Sequence, residues 1–242
     1  MPMAVEVNDV SMYFNMSKEK IEHLKEYFIK LVTRKLLYEE FIALNNITFQ
    51  IEQGDVFGIV GLNGSGKSTL LKIISGIIKP TKGNVSTKGI IAPLIELGAG
   101  FDMELTAREN IFLNGSVLGF SKRYLESQLE DIIEFSELRE FIDVPMKNYS
   151  TGMVARIGFA VATMTKPDIL ILDEILAVGD FHFQEKCEAR ITDMMDGGTT
   201  VIIVSHSLEQ IERLCGRVLW LDKGCIRMIG ETQEVCRAYK ES

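Results

Sequence analysis

Cysteine, proline and tryptophan are scarce in this chain of 242 residues, which has four cysteines, five prolines and one tryptophan. The cysteines show neither C-x-x-C spacing nor paired histidines nearby, and this pattern argues against a zinc site. Four reduced thiols of a cytosolic protein are the expectation, and we expect two of them to lie in core strands or helices. The cysteines are Cys187, Cys215, Cys225 and Cys236.

Long apolar runs and net positive charge are also missing. No apolar stretch approaches the roughly 18 residues of a spanning helix, and no cationic start precedes an apolar run with a cleavage site. We therefore expect that the chain itself neither enters nor crosses a membrane. With 34 acidic and 26 basic residues the net charge is −8, which argues against a nucleic-acid-binding surface as the main role.

What is present is the composition of an ordinary globular protein, 46% apolar and 25% charged. Gly61–Thr69, GLNGSGKST, fits the phosphate-loop pattern G-x-x-x-x-G-K-[ST] and lies between an apolar run, Val56–Val60, and a helical run, Leu70–Ser75. Glycines let backbone N–H groups surround a phosphate chain, and the positive end of the following helix adds to the attraction. A glycine-rich turn without a ligand is the alternative, but such a turn rarely meets the whole pattern in this setting. The predicted nucleotide-binding residues are Gly61, Leu62, Asn63, Gly64, Ser65, Gly66, Lys67, Ser68 and Thr69.

Two apolar runs farther along the chain end in polar residues. Asp168–Leu172 is followed by Asp173 and Glu174, and Thr199–Val204 is followed by a serine and His206. Ligands of open α/β sheets bind at the carboxyl ends of parallel strands, so both ends are candidate site positions. The alternatives are a helix cap with a first-turn acid for the carboxylates and a structural role for the histidine.

The sequence before the phosphate loop predicts a small antiparallel sheet beside the site. Val5–Phe14 and Phe41–Ile51 have strand patterns, and Asn84–Ile91 suggests short strands with which the sheet ends. Tyr13 or Phe14 could pack in the core or provide a flat ring for a base.

Residues 17–37 have apolar positions at helical spacing and a basic polar face. From Lys18 to Lys35 there are six cations and three acids. An amphipathic helix of this kind can cover the core, lie at an anionic membrane surface or dock on a partner.

The region from about 93 to 166 is predicted to be helical. Thr106–Glu109 is a capping box that begins a helix reaching about Leu118, and Ser121 begins another. A further capping box, Ser207–Gln210, follows His206.

Taken together, these motifs resemble the ATP-binding subunit of an ABC transporter over the whole chain. Tyr149–Met153, YSTGM, stands where that family has its signature, usually LSGGQ; Ile169–Glu174 is similar to the Walker B strand, 177–180 to the D-loop, and His206 to the switch histidine. The basic insertion, the segment Pro93–Phe101 and the YSxGM signature resemble the branch that exports polysaccharides, O-antigen or teichoic acid. The resemblance implies an α/β fold: a P-loop NTPase core of ABC type with a mostly parallel sheet, an antiparallel β-subdomain and an inserted helical subdomain.

The resemblance also implies an organisation of the chain as one ABC ATPase domain over 1–242. The nucleotide-binding core with the β-subdomain would occupy about 1–92 and 167–242. The amphipathic interface helix would be inserted at about 17–40, and the helical subdomain with the signature would occupy about 93–166.

The implied cofactors are ATP and Mg²⁺. Lys67 would neutralise the β- and γ-phosphates, Ser68 and Asp173 would hold Mg²⁺, and Glu174 would be the catalytic base that accepts a proton from the attacking water. His206 would contact the γ-phosphate or orient the base, and Tyr13 would stack on adenine. Ser150 and Gly152 would bind the nucleotide of a second copy in a head-to-tail dimer, and Asp180 belongs to the implied D-loop.

Four positions depart from the family pattern. Glu96 stands near the usual Q-loop glutamine and would be a Mg²⁺ ligand there, although its charge lies close to the phosphates. Thr151 replaces a signature glycine, Met153 the signature glutamine, and Ala177 a D-loop serine.

The implied partners are a second copy and transmembrane permease subunits. The permease would contact 96–101 and the 17–37 helix, at the cytoplasmic face of a bacterial membrane, with no nucleic acid. Two other functions stay open. One is the ATPase subunit of a lipid or drug exporter, and the other is an ABC-type ATPase that acts on nucleic acid or ribosomes.

Overall fold

The computed structural model describes residues 2–17, 38–94, 98, 100–164, 166–173, 179–205 and 207–242. The interface helix was predicted over 17–37, in an insertion of about 17–40, but Ser17 is the last residue of one strand and 38–40 begin the next, so these bounds are too wide. The stretch 18–37 lies outside the described residues. Three predicted site residues also lie outside them: Glu96, Glu174 and His206.

A three-stranded antiparallel sheet contains the first two strands of the chain. Strands β1 (Met3–Ser17) and β2 (Tyr38–Glu52) pair along their length, and β4 (Lys82–Thr87) adds to the other edge of β1. Alternate side chains of β1, Val5 and Val7, are fully buried, as the period of two in a strand requires. The predicted antiparallel sheet is confirmed.

The second sheet contains six described strands: β3 (Val56–Val60), β5 (Ile91–Leu94), β6 (Ile169–Asp173), β7 (Thr200–Val204), β8 (Arg217–Asp222) and β9 (Cys225–Glu231). Their order in the sheet is β5-β6-β7-β3-β8-β9. All neighbours are parallel except the last pair, β8 and β9. The antiparallel sheet ends with β4, as predicted, whereas β5 belongs to the second sheet, runs from Ile91 to Leu94 and pairs with β6 along its whole length.

Both faces of the parallel sheet are covered, which explains why its central strands are uninterrupted apolar runs. Ile169 and Ile171 of β6 face a core shared with the antiparallel sheet and with α1 (Lys67–Ile74). Leu170 and Leu172 point to the other face and join a core formed with the remaining helices. Each apolar run therefore fixes the strand that carries a site residue at its end.

Three α-helices lie between β5 and β6 among the described residues. They are α2 (Ala107–Val117), α3 (Lys122–Ser136) and α4 (Thr151–Ala162). The predicted capping box is confirmed: the Thr106 hydroxyl accepts from the N–H of Glu109, and the Glu109 carboxylate accepts from the N–H of Thr106. Ser121 caps α3 through the N–H of Tyr124, also as predicted.

The chain then alternates between strand and helix. Helix α5 (Phe181–Asp196) precedes β7, α6 (Leu208–Leu214) precedes β8, and α7 (Thr232–Lys240) follows β9. Cys187, Cys215 and Cys236 are buried and Cys225 is exposed, all as free thiols. Burial raises the pKa of the Cys187 and Cys215 thiols to about 12. Among the described residues, no helix is both long enough and apolar enough to span a membrane.

The contact between α2 and α3 leaves no room for a side chain at Gly115. A Cβ atom there would lie 2.3 Å from a methyl carbon of Leu125, which is fully buried. Alanine is a better helix former than glycine by about 1 kcal/mol, but overpacking a core typically costs about 1–3 kcal/mol. We expect Gly115→Ala to lower the melting temperature by about 2–6 °C, measured by thermal unfolding.

The control for this prediction is Ser116→Ala on the same helix. Ser116 is exposed, so this change raises helix propensity without adding a contact. We expect its melting temperature to stay the same or rise slightly. A Gly115→Ala protein as stable as the wild type would show that α2 and α3 are not packed at this distance.

Candidate active site

The predicted phosphate loop connects β3 to α1, as its sequence context requires. The Lys67 side chain is buried, and its Nζ atom donates to the carbonyl oxygens of Gly61 at 2.8 Å and Leu62 at 3.1 Å. These bonds hold the ammonium group against the backbone of the loop. A buried cation in this position is suited to an anion that enters the loop.

Two glycines of the loop lie where a side chain would collide with the backbone. A Cβ atom on Gly61 would lie 2.2 Å from the carbonyl oxygen of Leu221, and one on Gly66 would lie 2.6 Å from that of Ala43. Both residues have positive φ, 155° and 106°. The loop can therefore pass this close to β2 and β8 only with glycine at these positions.

The N-terminus of α1 is open to an anionic ligand. Its N-cap is Gly66, no side chain caps the helix, and the first turn contains no acidic residue. Backbone N–H groups of a first helical turn have no intrahelical partner and carry a partial positive charge. Together with Lys67 they form a donor set that fits the phosphates of a nucleotide.

Ser65 and Ser68 differ in exposure within the loop. The Ser68 side chain is exposed, so its hydroxyl is accessible to a metal ion. The Ser65 hydroxyl is buried and has no hydrogen-bond partner within the described ranges, and its N–H donates to the Leu62 carbonyl. Ser65 therefore contributes to the packing beneath the loop in this conformation.

Strand register brings the predicted Walker B carboxylate to the same sheet edge as the phosphate loop. Val204 of β7 is the register partner of both Ile59 in β3 and Asp173 in β6. Neighbouring strands are about 4.8 Å apart, so Asp173 lies about 10 Å across the sheet from Ile59. Glu174 and His206, which follow β6 and β7 in the sequence, lie outside the described residues.

Ser205 makes hydrogen bonds to the first residues of α6 and its N-cap that the sequence did not predict. The Ser207 hydroxyl accepts from the N–H of Gln210, as a capping residue does. The Gln210 side chain, however, accepts from the Ser205 hydroxyl, and Ser205 accepts from the N–H of Ser207. The predicted reciprocal capping box is therefore wrong in its second half. The Ser205 hydroxyl replaces Gln210 as the acceptor for the N-cap N–H.

Tyr13 lies close to the end of β1 and next to the part of β2 that contacts the phosphate loop. Its register partner is Ile42, and the next residue, Ala43, is the one whose carbonyl approaches Gly66. The Lys82 ammonium lies 5.5 Å from the centroid of the Tyr13 ring. The half-buried ring therefore lies one register position from the part of β2 that approaches the loop, and its stacking on adenine stays a prediction.

The predicted signature residues lie at the N-terminus of α4. The Ser150 hydroxyl accepts from the N–H of Met153, and its other hydrogen bonds within the described ranges also stay inside this helix. A Cβ on Gly152 would meet nothing closer than the Ser150 hydroxyl at 3.8 Å. Tyr149 anchors the turn by donating to the Phe141 carbonyl at 2.6 Å, and burial raises the pKa of its hydroxyl to about 12. No described contact brings Ser150 to the phosphate loop of the same chain.

Asp180 caps α5 and contacts the signature helix. Its carboxylate accepts from the N–H of Phe183 at 3.1 Å and from the guanidinium of Arg156 at 2.5 Å. The backbone hydrogen bond and the charge of Arg156 lower the pKa of the Asp180 carboxyl. Arg156 was not among the predicted site residues, because its partners are 19 and 24 positions away and no local pattern marks them.

Two side chains at the candidate site, Ser68 and Asp173, have oxygen atoms that could bind Mg²⁺, and this ion usually takes only one or two protein ligands. Mg²⁺ keeps several waters and is usually bound by one or two side chains together with substrate phosphates. Ser68 and Asp173 provide such side-chain oxygens at the loop edge. No group of three or more metal-ligating residues occurs among the described residues, so a site built only from protein ligands is not found there.

Replacing Gly66 by alanine should weaken nucleotide binding. The added methyl group would collide with the Ala43 carbonyl oxygen and force the phosphate loop to move. We expect Gly66→Ala to lower affinity for a fluorescent ATP analogue by at least about tenfold, because displaced N–H groups lose their hydrogen bonds to phosphate. Titration of the isolated protein measures this.

Gly76 provides a matched control just beyond the other end of α1. It also has positive φ, 73°, but a Cβ there would meet nothing within 4 Å. Gly76→Ala therefore carries the backbone strain without the collision, and we expect it to keep wild-type affinity. Equal losses in both variants would mean that general destabilisation, not loop geometry, governs binding.

A family model and several known proteins match this chain. Residues 44–177 match the family model described as ABC transporter. The O-antigen export system ATP-binding protein RfbB of Klebsiella pneumoniae is 44% identical over 225 residues, 93% of this chain and 89% of that protein. The RfbB protein of Myxococcus xanthus is 48% identical over 200 residues, 83% of this chain and 46% of that protein.

A teichoic acids export ATP-binding protein, TagH of Levilactobacillus brevis, is 40% identical over 237 residues, 98% of this chain and 64% of that protein. This chain therefore spans most of one relative and about half to two thirds of two others. Among solved structures, an ATP-binding subunit of an ABC transporter matches 98% of this chain and 93% of its own, with a TM-score of 0.77 and 22% identity. A dimeric ATP-binding cassette in a post-hydrolysis state with ADP and Pi matches 94% of this chain and 98% of its own chain, with a TM-score of 0.75 and 22% identity. Because the family model matches more than half of its length, this chain belongs to the ABC transporter family.

Proposed function

We propose that this chain is the ATP-hydrolysing subunit of an ABC exporter for a cell-surface polysaccharide, O-antigen or teichoic acid. The observation that carries the proposal is the 40–48% identity, over most of the chain, to subunits named for O-antigen and teichoic acid export. In this function, closing and opening of a dimer of the chain powers the transmembrane subunits.

The chain's own residues divide the chemistry at the loop. Lys67 and the first-turn N–H groups of α1 bind and orient the phosphates of ATP, while Ser68 and Asp173 provide oxygens for Mg²⁺. Bound there, Mg²⁺ supplies positive charge that offsets the charge developing on the phosphates. Glu174 accepts a proton from the attacking water, and His206 orients that base or contacts the γ-phosphate. Glu96 is a further metal ligand in this proposal.

A second copy completes the site. The exposed Ser150 hydroxyl, the open space at Gly152 and the N-terminus of α4 form a donor tip that does not contact the phosphate loop of its own chain. In the dimer this tip donates hydrogen bonds to the γ-phosphate bound by the partner copy, so the nucleotide is enclosed between two chains. Asp180 lies at the same interface in this proposal. Loss of the γ-phosphate removes these contacts and lets the copies separate.

The permease has a candidate docking cleft that Gly98, Gly100 and Phe101 help to line. A cleft of about 480 Å³ is lined mainly by apolar side chains, including the exposed Val117 and Leu118 of the α2 end together with Phe101. This cleft and the basic stretch 17–37, predicted from the sequence to be a helix, are the proposed contacts with the transmembrane subunits. Docking through them would hold the chain at the cytoplasmic face of the membrane, which is the location that we propose.

A lipid or drug exporter subunit is the nearest alternative, and the names of the relatives favour glycan export. An ATPase acting on nucleic acid or ribosomes is disfavoured by the net charge of −8.

The assignment of Glu174 predicts a trapped dimer. Replacing the base by glutamine keeps the size of the side chain but removes proton acceptance, so ATP stays intact between two copies. We expect Glu174→Gln to form a dimer with ATP and Mg²⁺ and to hydrolyse ATP at least about a hundredfold more slowly than wild type. Size-exclusion chromatography and phosphate release measure the two quantities. ADP in place of ATP is the control and should leave the protein monomeric. Turnover at the wild-type rate would refute the role of Glu174.

The docking cleft and the exported glycan can be tested in one experiment. Deleting the gene should remove one surface glycan, which chemical analysis of the envelope identifies, and wild-type chain should restore it. Val117→Glu places a charge in the apolar cleft and should not restore the glycan, because burying an unpaired charge at the interface is costly. The isolated variant should keep wild-type ATPase activity.

Ser116→Glu is the matched control, since it adds the same charge at the neighbouring exposed residue, which does not line the cleft. We expect it to restore the glycan. Restoration by Val117→Glu would overturn the docking assignment, and a surface glycan unaffected by deletion would overturn glycan export.

A further inference from the structure

Arg156 joins three helices at the base of the signature tip. It lies on α4, its side chain is 16% exposed, and its guanidinium donates to Glu137 at 2.8 Å and to Asp180 at 2.5 Å. The carbon at the centre of the guanidinium lies 4.5 Å from the centroid of the Phe183 ring. Two carboxylates and one aromatic face thus fix the orientation of a single planar cation.

The two carboxylates lie at the ends of other helices. Glu137 is the C-cap of α3 and has positive φ, 60°, and Asp180 is the N-cap of α5. Glu137 also accepts from the Lys186 ammonium of α5 at 2.9 Å, so it links α4 and α5 a second time. The bonds to Lys186 and Arg156 lower the pKa of the Glu137 carboxyl. We call Arg156, Glu137, Asp180, Phe183 and Lys186 the Arg156 clamp.

The Arg156 clamp connects two parts of the candidate site, the Ser150 end of α4 and Asp180 at the start of α5. Arg156 is six residues after Ser150, about 9 Å along the helix axis, so the clamp holds the second turn of the helix that carries the signature tip. The clamp also holds the side chain of Asp180, which caps α5 and belongs to the segment that resembles the D-loop. A shift of the tip relative to Asp180 would break at least one charge-assisted hydrogen bond.

Arg190 of α5 supplies a comparison within the same core. Its guanidinium lies 4.2 Å from the centroid of the Phe135 ring, its side chain is 24% exposed, and it pairs with Asp131 at 3.4 Å. It also donates to the carbonyl of Thr163, just beyond the opposite end of α4 from Ser150. Arg190 therefore has similar burial and a similar ring contact, but it is remote from the signature tip.

We infer that Arg156 is a positioning residue of the ATPase: it fixes the Ser150 tip relative to the Asp180 turn, so that both reach the partner copy as one unit. This inference rests on the proposed nucleotide-bound dimer. Arg156 itself touches neither substrate nor cofactor in this assignment. Its effect is expected on dimer formation, and nucleotide binding by a single copy should be independent of it.

The test uses the full chain in the Glu174→Gln background, with dimer formation measured against protein concentration at saturating ATP and Mg²⁺. We expect Arg156→Gln to raise the concentration for half-dimerisation by about tenfold, since glutamine cannot form the charge-assisted bonds to both carboxylates. Affinity of the monomer for a fluorescent ADP analogue should change by less than about twofold, because the phosphate loop is separate from the clamp. Arg156→Lys should be intermediate, because one ammonium group lacks the fork that joins two carboxylates.

Arg190→Gln separates positioning from general stability. We expect a fall in melting temperature similar to that of Arg156→Gln and a change in half-dimerisation below about threefold, since its contacts lie away from the tip. Equal dimerisation defects in the two variants, or a wild-type value for Arg156→Lys, would overturn the inference. If the Glu174→Gln parent fails to dimerise with ATP, the proposed function itself fails, which is a distinguishable result.

Discussion

The buried Lys67 ammonium in the glycine loop is the constraint on which the rest of the site depends. It is held by two loop carbonyls, and the loop keeps this shape only because Gly61 and Gly66 pass within side-chain distance of β8 and β2. The antiparallel sheet, the parallel sheet and α1 therefore meet at one point. Moving any of them would change the direction of the N–H groups that face an incoming phosphate.

The sheet then brings the other groups to this point. Its strands are buried on both faces, so their register is fixed by packing, and Asp173 comes to lie level with Val204 and Ile59. A one-residue slip of β6 would exchange the side chains of its two faces and shift Asp173 along the edge. Burial of residues that have no chemical role thus determines where the carboxylate is placed.

Sequence reasoning was strongest where the signal was local. The strand–loop–helix setting of the phosphate loop, the Thr106 capping box and the Ser121 cap each depend on residues within about ten positions, and their structures agree with the prediction. It failed where the partner is chosen by tertiary contact. The pairing of β5 with β6 was not predicted, because the partner strand lies far along the chain. One local prediction also failed, since Gln210 bonds to Ser205 instead of completing a capping box. The Arg156 clamp unites residues 137, 156, 180, 183 and 186, a set that becomes visible only once three helices are packed.

The ion pairs of this chain differ in how far their side chains are exposed to water. Most ion pairs of the described residues join exposed side chains, and such pairs contribute little to stability because water and salt screen them. Arg156 is an exception, since most of its side chain is removed from water and both carboxylates are shared with helix ends. The side chains of Glu137 and Asp180 are 50% and 62% exposed, so the shielded partner is the guanidinium, and a displacement that removed either carboxylate would leave that cation less well compensated. Such a contact is suited to transmit a change at one interface residue to another, because α4 cannot turn without moving the cap of α5.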